Sequence, residues 1–244
     1  EFLGRKPTPP EVQEAMEMTG GGIWRTAPGQ ITDDSELALS SMHALARRGS
    51  FDIEAIAVQY QRWLKSPPFD IGGTTRAGLE AEPEPGENVH EAMWRSAGSY
   101  NTRSKSNGGL MRVSPLGVWG VRLSAREVVQ AVRQEHCLTH CHTVCQDCGA
   151  AYVLAIRHLV LHPGDSEGAF SAARDWVQIE GEQEVLEWIE QAAANEDVGY
   201  EPDVGFVKYG FVHAFRHLKQ RTPYEESIAE TLRGGGDTDT NACI

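Results

Sequence analysis

The apolar residues of this chain recur at intervals of three and four in segment after segment, and nowhere alternate along a β-branched run. That spacing is the stripe of a helix and not the two-residue period of a strand, so it restricts the fold to helices packed on helices. Leu37, Ala38, Ser41, Met42 and Leu45 keep to it until Gly49, and Ile53, Ile56, Ala57, Tyr60 and Leu64 keep to it until Pro67-Pro68. Val207, Phe211, Ala214, Phe215 and Leu218 form the cleanest buried face, and a long helix is expected over about 144–161. Phe170, Trp176, Val185, Leu186 and Ile189 carry the apolar stripe through the acidic segments between them. The punctuation agrees. Thr8-Pro9-Pro10-Glu11 suits a helix first turn, and Ser124 to Glu127 and Thr222 to Glu225 both have the form of a capping box. With no internal repeat and no low-complexity linker, 1–244 reads as a single all-α domain.

A chain of 244 residues with 40% apolar content can bury an ordinary core. Its formal charge of −13 argues against a nucleic acid or an anionic membrane as partner, since each needs a basic face. The most apolar run, 150–161, is broken by Arg157 and His158 and reads as too short to span a bilayer. No secretory signal is visible, so a cytoplasmic protein is expected. Cys137, Cys141, Cys145 and Cys148 crowd into twelve residues, with Cys243 apart, which suits reduced thiols better than a disulfide framework. Cys137, Cys141 and Cys145 recur every fourth residue, a spacing that lines one helix face rather than the paired knuckles of a structural zinc site.

The chemistry concentrates in two oxygen-rich stretches. Arg233 is followed by Gly234-Gly235-Gly236-Asp237-Thr238-Asp239-Thr240-Asn241, and far upstream stands Thr32-Asp33-Asp34-Ser35. The glycines free the backbone to turn, and carboxylates and hydroxyls are the hard ligands that magnesium, manganese or calcium accepts. If the two stretches face each other, enough oxygens converge for two divalent cations; the competing reading is two unrelated helix N-caps. Adjacent aspartates on a helix point about 100° apart, so Asp33 and Asp34 need not serve one ion. Ser106-Asn107-Gly108-Gly109-Leu110-Met111-Arg112 offers unobstructed backbone N–H groups at the start of an apolar helix, a candidate phosphate cradle. Gly72-Gly73-Thr74-Thr75 is a weaker version of the same pattern.

Taken in order, Thr32 to Ser35, Asp70 to Arg76, Ser106 to Val113, Leu138 to His142 and Gly235 to Thr240 resemble the motifs of the ADP-ribosylglycohydrolases. The resemblance runs over nearly the whole chain, with Ser35 where threonine is usual and Cys141 where proline is common. It implies a compact orthogonal helical domain with two Mg2+ or Mn2+ ions in a cleft, and hydrolysis of the bond joining ADP-ribose to an acceptor. It further implies Thr32, Asp33, Asp34, Asp237, Asp239 and Thr240 as metal ligands, and Asn107, Gly108, Gly109, Met111, His140 and His142 beside the ADP-ribose. Asp70 matches an acidic position of arginine-cleaving members, and Glu1 matches a glutamate that helps to activate water. Family members carry a glycine-rich helix before the Glu1 position and an apolar helix pair after Ile244, so the resemblance implies a chain cut short at both ends.

The function expected is therefore a metal-dependent hydrolase, monomeric, acting on an ADP-ribosylated protein or a small ADP-ribosyl compound, with arginine favoured as acceptor and Glu1, Asp33, Asp70 and Asp239 catalytic. The alternatives are a pseudoenzyme that binds ADP-ribose without cleaving it, and a helical scaffold with two capped turns.

Overall fold

A computed structural model describes residues 5–22 and 24–244; among them it contains no strand, only the isolated bridges Gly21 to Thr26 and Ser106 to Phe206. The chain opens with α1 (Pro9–Met16), where Thr8 and Glu11 close a capping box ahead of two prolines. Next come α2 (Asp33–Arg48) and α3 (Ile53–Leu64), ended by a left-handed glycine at Gly49 and before the two prolines, as their spacing predicts. The inward stripe of α2 is Leu37, Ser41, Ala44 and Leu45, whereas Met42 is exposed. The stripe is rotated from the expected one because Asp33 and Asp34 at its start are themselves buried.

The short α4 (Gly73–Leu79) and α5 (Val89–Tyr100) follow. The Asn107–Arg112 stretch is not a turn ahead of an apolar α-helix. It is a buried 3-10 helix, and it packs against α2, α8 (Thr143–Leu161), α11 (Val207–Gln220) and α13 (Thr238–Cys243). Between these lie α6 (Pro115–Trp119) and α7 (Ala125–His136), the latter opened by the expected Ser124–Glu127 capping box. The acidic α9 (Ser166–Glu180) and α10 (Gln183–Ala193) cover α8 and α11. The last long helix, α12 (Tyr224–Gly234), is capped by Pro223 with no side-chain bond, so Thr222 and Glu225 do not form the expected box: the helix starts one residue too late for that register.

The α7–α8 corner departs furthest from the sequence reading. Cys137 caps α7, Cys141 lies in the connection and Cys145 is in α8, so the three do not share one helix face. His142 ends the expected continuity, since its Nδ1 accepts the Val144 N–H at 3.1 Å and starts a new helix. The axes come close because Gly149 leaves room for the His136 imidazole, which a Cβ there would strike. Helix α8 is longer than the 150–161 run suggests. At mean hydropathy 1.2 it is long and apolar enough to cross a membrane, but 56% of that window is buried in the protein, against α7 and α9 among others.

Under the 3-10 helix sits an ion pair that sequence spacing did not show. Arg112 and Glu135 are 0% and 1% exposed and meet at 2.7 Å through Nε and Oε1. Tyr60 donates its hydroxyl to the same Oε1 at 2.8 Å, while its ring lies 4.8 Å from the guanidinium carbon. Burial alone raises the Glu135 carboxyl, but the charge of Arg112, the nearby His136 ring and the Arg112 bond outweigh it and hold the group at about 2. A carboxylate held below its unfolded value contributes stability that is present above about pH 4 and lost as pH falls toward the folded value. Glu135→Gln is therefore expected to cost about 3–5 kcal/mol at pH 7, because Arg112 is left buried without its counter-charge. It is also expected to flatten the loss of stability on the acid side, and urea denaturation across pH measures both effects.

Candidate active site

Two helix starts and one glycine turn meet at a cavity of about 370 Å³. From the first helix start comes Asp33, at the beginning of α2; from the other come Asp237, Asp239 and Thr240, at the beginning of α13. Gly235 and Gly236 take φ of 78° and 73°, which a side chain disfavours, and so reverse the chain between α12 and α13. Tyr200 packs over this turn: a Cβ at Gly234 would collide with its ring, and one at Gly236 would come within 3.0 Å of its own Cβ and carbonyl oxygen. The turn is thereby held, and with it the two carboxylates that follow.

The aspartates are buried together. Asp33, Asp34 and Asp237 are exposed by 8%, 1% and 9%. Burial first, then the charges of Asp34, Asp70, Asp239 and Asp237, push the Asp33 carboxyl up to about 8. Burial and Asp239 raise Asp34 to about 6 against the bonds it receives from Thr32 and Thr240. Burial raises Asp237 to about 7, with Asn107 opposing and Asp239 and Asp34 adding to the rise. Asp34 accepts from Thr32 Oγ1 at 2.6 Å through Oδ2, while its buried Oδ1 has no hydrogen-bond partner. This is a concentration of hard oxygen donors short of positive charge.

Asp33 and Asp34 turn to different spaces, as adjacent helix positions should. Asp33 faces the cavity with Asp70, Asp237 and Thr240; Asp34 and Thr32 face a larger adjoining groove of about 780 Å³; Asp239 borders both. Among the described residues no three His, Cys, Asp or Glu side chains are grouped tightly enough to enclose an ion by themselves. A cation here would take hydroxyl oxygens of Thr32 and Thr240, or water, to complete its sphere.

The rest of the lining is neutral. Gly108, Met111 and His140 belong to it, with Thr74, Thr75 and Ser106, whose hydroxyls the sequence reading had not singled out as site groups. Gly108 has to be glycine: a Cβ would stand 2.9 Å from Thr75 Oγ1 and 3.0 Å from His140 Cε1. Gly109 stays off the lining and packs on His136, and His142 is spent on capping α8. Asn107 serves the acidic side, since its Nδ2 donates to Asp237 Oδ2 at 2.7 Å and its backbone N–H is already taken by Gly205. The stretch is thus a scaffold for the cavity more than an array of open amides. Glu1 lies outside the described residues.

At the rim stands Trp24, 44% exposed, its ring 6.1 Å from that of Phe69 and bordering the same cavity as Asp70. Nothing in the periodicity of the sequence marks Trp24, because it belongs to no helix and its partner is 45 residues away.

Comparison with known proteins shows the family and the fold. The family model for ADP-ribosylglycohydrolase matches residues 1–244. A protein of Acanthamoeba polyphaga mimivirus, assigned as an ADP-ribosyl glycohydrolase, is 29% identical over 93% of this chain and 72% of its own length. The ADP-ribosyl-dinitrogen reductase glycohydrolase of Rhodospirillum rubrum is 38% identical over 41% of this chain, and the ADP-ribosylarginine hydrolase Tri1 of Pseudomonas putida (strain GB-1) is 28% identical over 71%. The chain spans only 31% and 45% of those two relatives. The solved structure of an ADP-ribosylglycohydrolase-related protein complex shares the fold, with a TM-score of 0.77 at 22% identity over all of this chain and 77% of its own. A family model that covers the whole chain, over a cavity floored by the two aspartate motifs, establishes that this chain belongs to the ADP-ribosylglycohydrolase family.

Proposed function

We propose that this protein hydrolyses the bond between ADP-ribose and the guanidinium nitrogen of a modified arginine, and that a pair of divalent cations, Mg2+ or Mn2+, assists it. The observation that carries the reading is the convergence of Asp33, Asp70, Asp237, Asp239 and Thr240 on one cavity whose remaining lining is uncharged. The donor set fits hard divalent cations: aspartate and threonine oxygens, a buried Asp34 oxygen with no partner, and carboxylates that raise one another. Thr32, Asp33, Asp34, Asp237, Asp239 and Thr240 would hold them. When bound, such ions supply fixed positive charge that orients vicinal hydroxyls and makes water more acidic.

The chain's own groups account for the remainder. In the reaction the oxygen of water bonds to the anomeric carbon while the bond from that carbon to the acceptor nitrogen breaks, the electron pair leaving with nitrogen and the proton of water ending on it. Asp33 and Asp239 oppose the positive charge that builds on the ribose as that bond lengthens. Asp70 would pair its carboxylate with a departing guanidinium, and the aromatic ring of Trp24, which borders the same cavity, suits the same cation. Asn107 fixes the orientation of Asp237 through its amide. The share of the Tri1 relative's sequence found here supports arginine as the acceptor, alongside Asp70.

Release of ADP-ribose is to be measured from arginine-linked and serine-linked substrates, with Mg2+ or Mn2+ and with chelator. Release from the arginine-linked substrate that chelator abolishes is the expected result; equal release with chelator present would overturn the metal-assisted reading. Asp237→Ala and Asp239→Asn are expected to lower kcat by at least about 100-fold with the helical circular dichroism intact, the usual scale for removing one electrostatic stabiliser. Full turnover in both would remove these residues from the mechanism. Asp70→Asn is expected to raise KM for the arginine-linked substrate and leave the affinity for free ADP-ribose within about twofold, because a rim charge acts on the acceptor side.

A further inference from the structure

A run of hydrogen bonds joins the buried ion pair to the cavity, and its direction can be worked out. Arg112 Nη2 donates to Thr139 Oγ1 at 2.7 Å, and a guanidinium has donors only. Thr139 Oγ1 also lies 2.7 Å from His140 Nδ1, and both residues are fully buried. If Thr139 accepted from both neighbours, its own proton would be stranded in a dry interior. It therefore accepts from Arg112 and donates to Nδ1, which must be the unprotonated ring nitrogen.

His140 is neutral, because burial and then the charges of Arg112 and His136 hold it well below the usual imidazole range. Its one ring proton is then on Nε2, which donates to Ser106 Oγ at 3.0 Å. Ser106 Oγ stands 3.1 Å from Ser104 Oγ, and that oxygen 2.9 Å from Thr74 Oγ1. Ser106 and Thr74 both border the cavity. Having received a proton from His140, Ser106 keeps its own to give, either straight into the cavity or through Ser104 to Thr74, whose proton then faces inward. The opposite tautomer would draw the Ser106 proton toward His140 and leave the wall with one donor fewer.

We propose that Arg112 is a positioning residue for the cavity: acting through Thr139, it fixes His140 as the Nε2–H tautomer and so presents the hydroxyls of Ser106 and Thr74 as donors to a ligand oxyanion. On the functional reading above, that oxyanion belongs to the diphosphate of ADP-ribose. A buried cation thereby acts on the ligand without touching it.

The tautomer is read directly from two-bond proton–nitrogen correlations of 15N-labelled imidazoles, with the His140 signals assigned by their loss in His140→Asn. The wild-type protein is expected to show the Nε2–H form alone. Thr139→Val keeps the shape and removes the hydroxyl; it is expected to mix the tautomers and weaken ADP-ribose binding about tenfold, with both effects reversed in Thr139→Ser. An Nδ1–H form or an imidazolium in the wild type would overturn the proposal. So would a folded Thr139→Val protein with unchanged tautomer and affinity. Should Thr139→Val not fold, the wild-type tautomer and its retention in Thr139→Ser decide the matter. If the wild type shows Nε2–H but does not bind ADP-ribose, the functional reading fails, and inorganic pyrophosphate then tests the wall: binding weakened by Thr139→Val sustains the proposal, and binding indifferent to it overturns it.

Discussion

Everything around the cavity follows from the placing of like charges in a dry space. Asp33, Asp34 and Asp237 are each less than a tenth exposed and each raised by burial and by one another. Ionising Asp33 among its charged neighbours costs on the order of 6 kcal/mol relative to water, at about 1.4 kcal/mol for each unit by which its pKa is raised. A fold gains nothing in stability from such an arrangement. It is kept in place by groups that have no charge to lose: the α12–α13 glycine turn under Tyr200, the Asn107 amide on Asp237, and the Thr32 hydroxyl on Asp34. Strain of this kind concentrates where a ligand or an ion relieves it.

The two walls divide the work. The acidic side is assembled from helix starts that lie some two hundred residues apart, Asp33 and Asp237. The hydroxyl side is assembled from α4, the 3-10 helix and the α7–α8 connection, and it is kept neutral although Arg112 lies just behind it. Glu135 pairs with that charge in the interior, and the cavity receives hydrogen-bond direction from the arginine. A ligand in which a diphosphate adjoins a ribose with vicinal hydroxyls matches this division, as in ADP-ribose.

How much of this could be read from the sequence depended on whether the cause was local. The stripes of α3 and α11, the stop at Gly49 and the Ser124 box are set by neighbours within a turn or two, and the residues announce them. The aspartate motifs were legible as oxygen-rich helix starts, though the meeting of the two was inferred from the resemblance and not from spacing. The Arg112–Glu135–Tyr60 cluster was not legible, because its members are separated by 23 and 75 residues and each alone resembles an ordinary helix residue. The cysteine spacing misled for a related reason. A fourfold repeat continues across a helix break as readily as through a helix, and only the bond from Val144 to the His142 ring shows where one helix ends and the next begins. Trp24 gave no signal, since a single aromatic residue in a glycine-rich connection has no periodicity to belong to.

Calorimetric titration of Mn2+ into chelator-treated protein near neutral pH, in two buffers of different ionisation enthalpy, tests the proposal that the aspartate cluster receives divalent cations. Saturable binding accompanied by release of protons is expected, because carboxylates raised by burial and mutual repulsion give up protons when a cation takes their place. A flat thermogram, or binding that releases no protons, would contradict it and leave the cluster as two buried helix starts with no ion to hold.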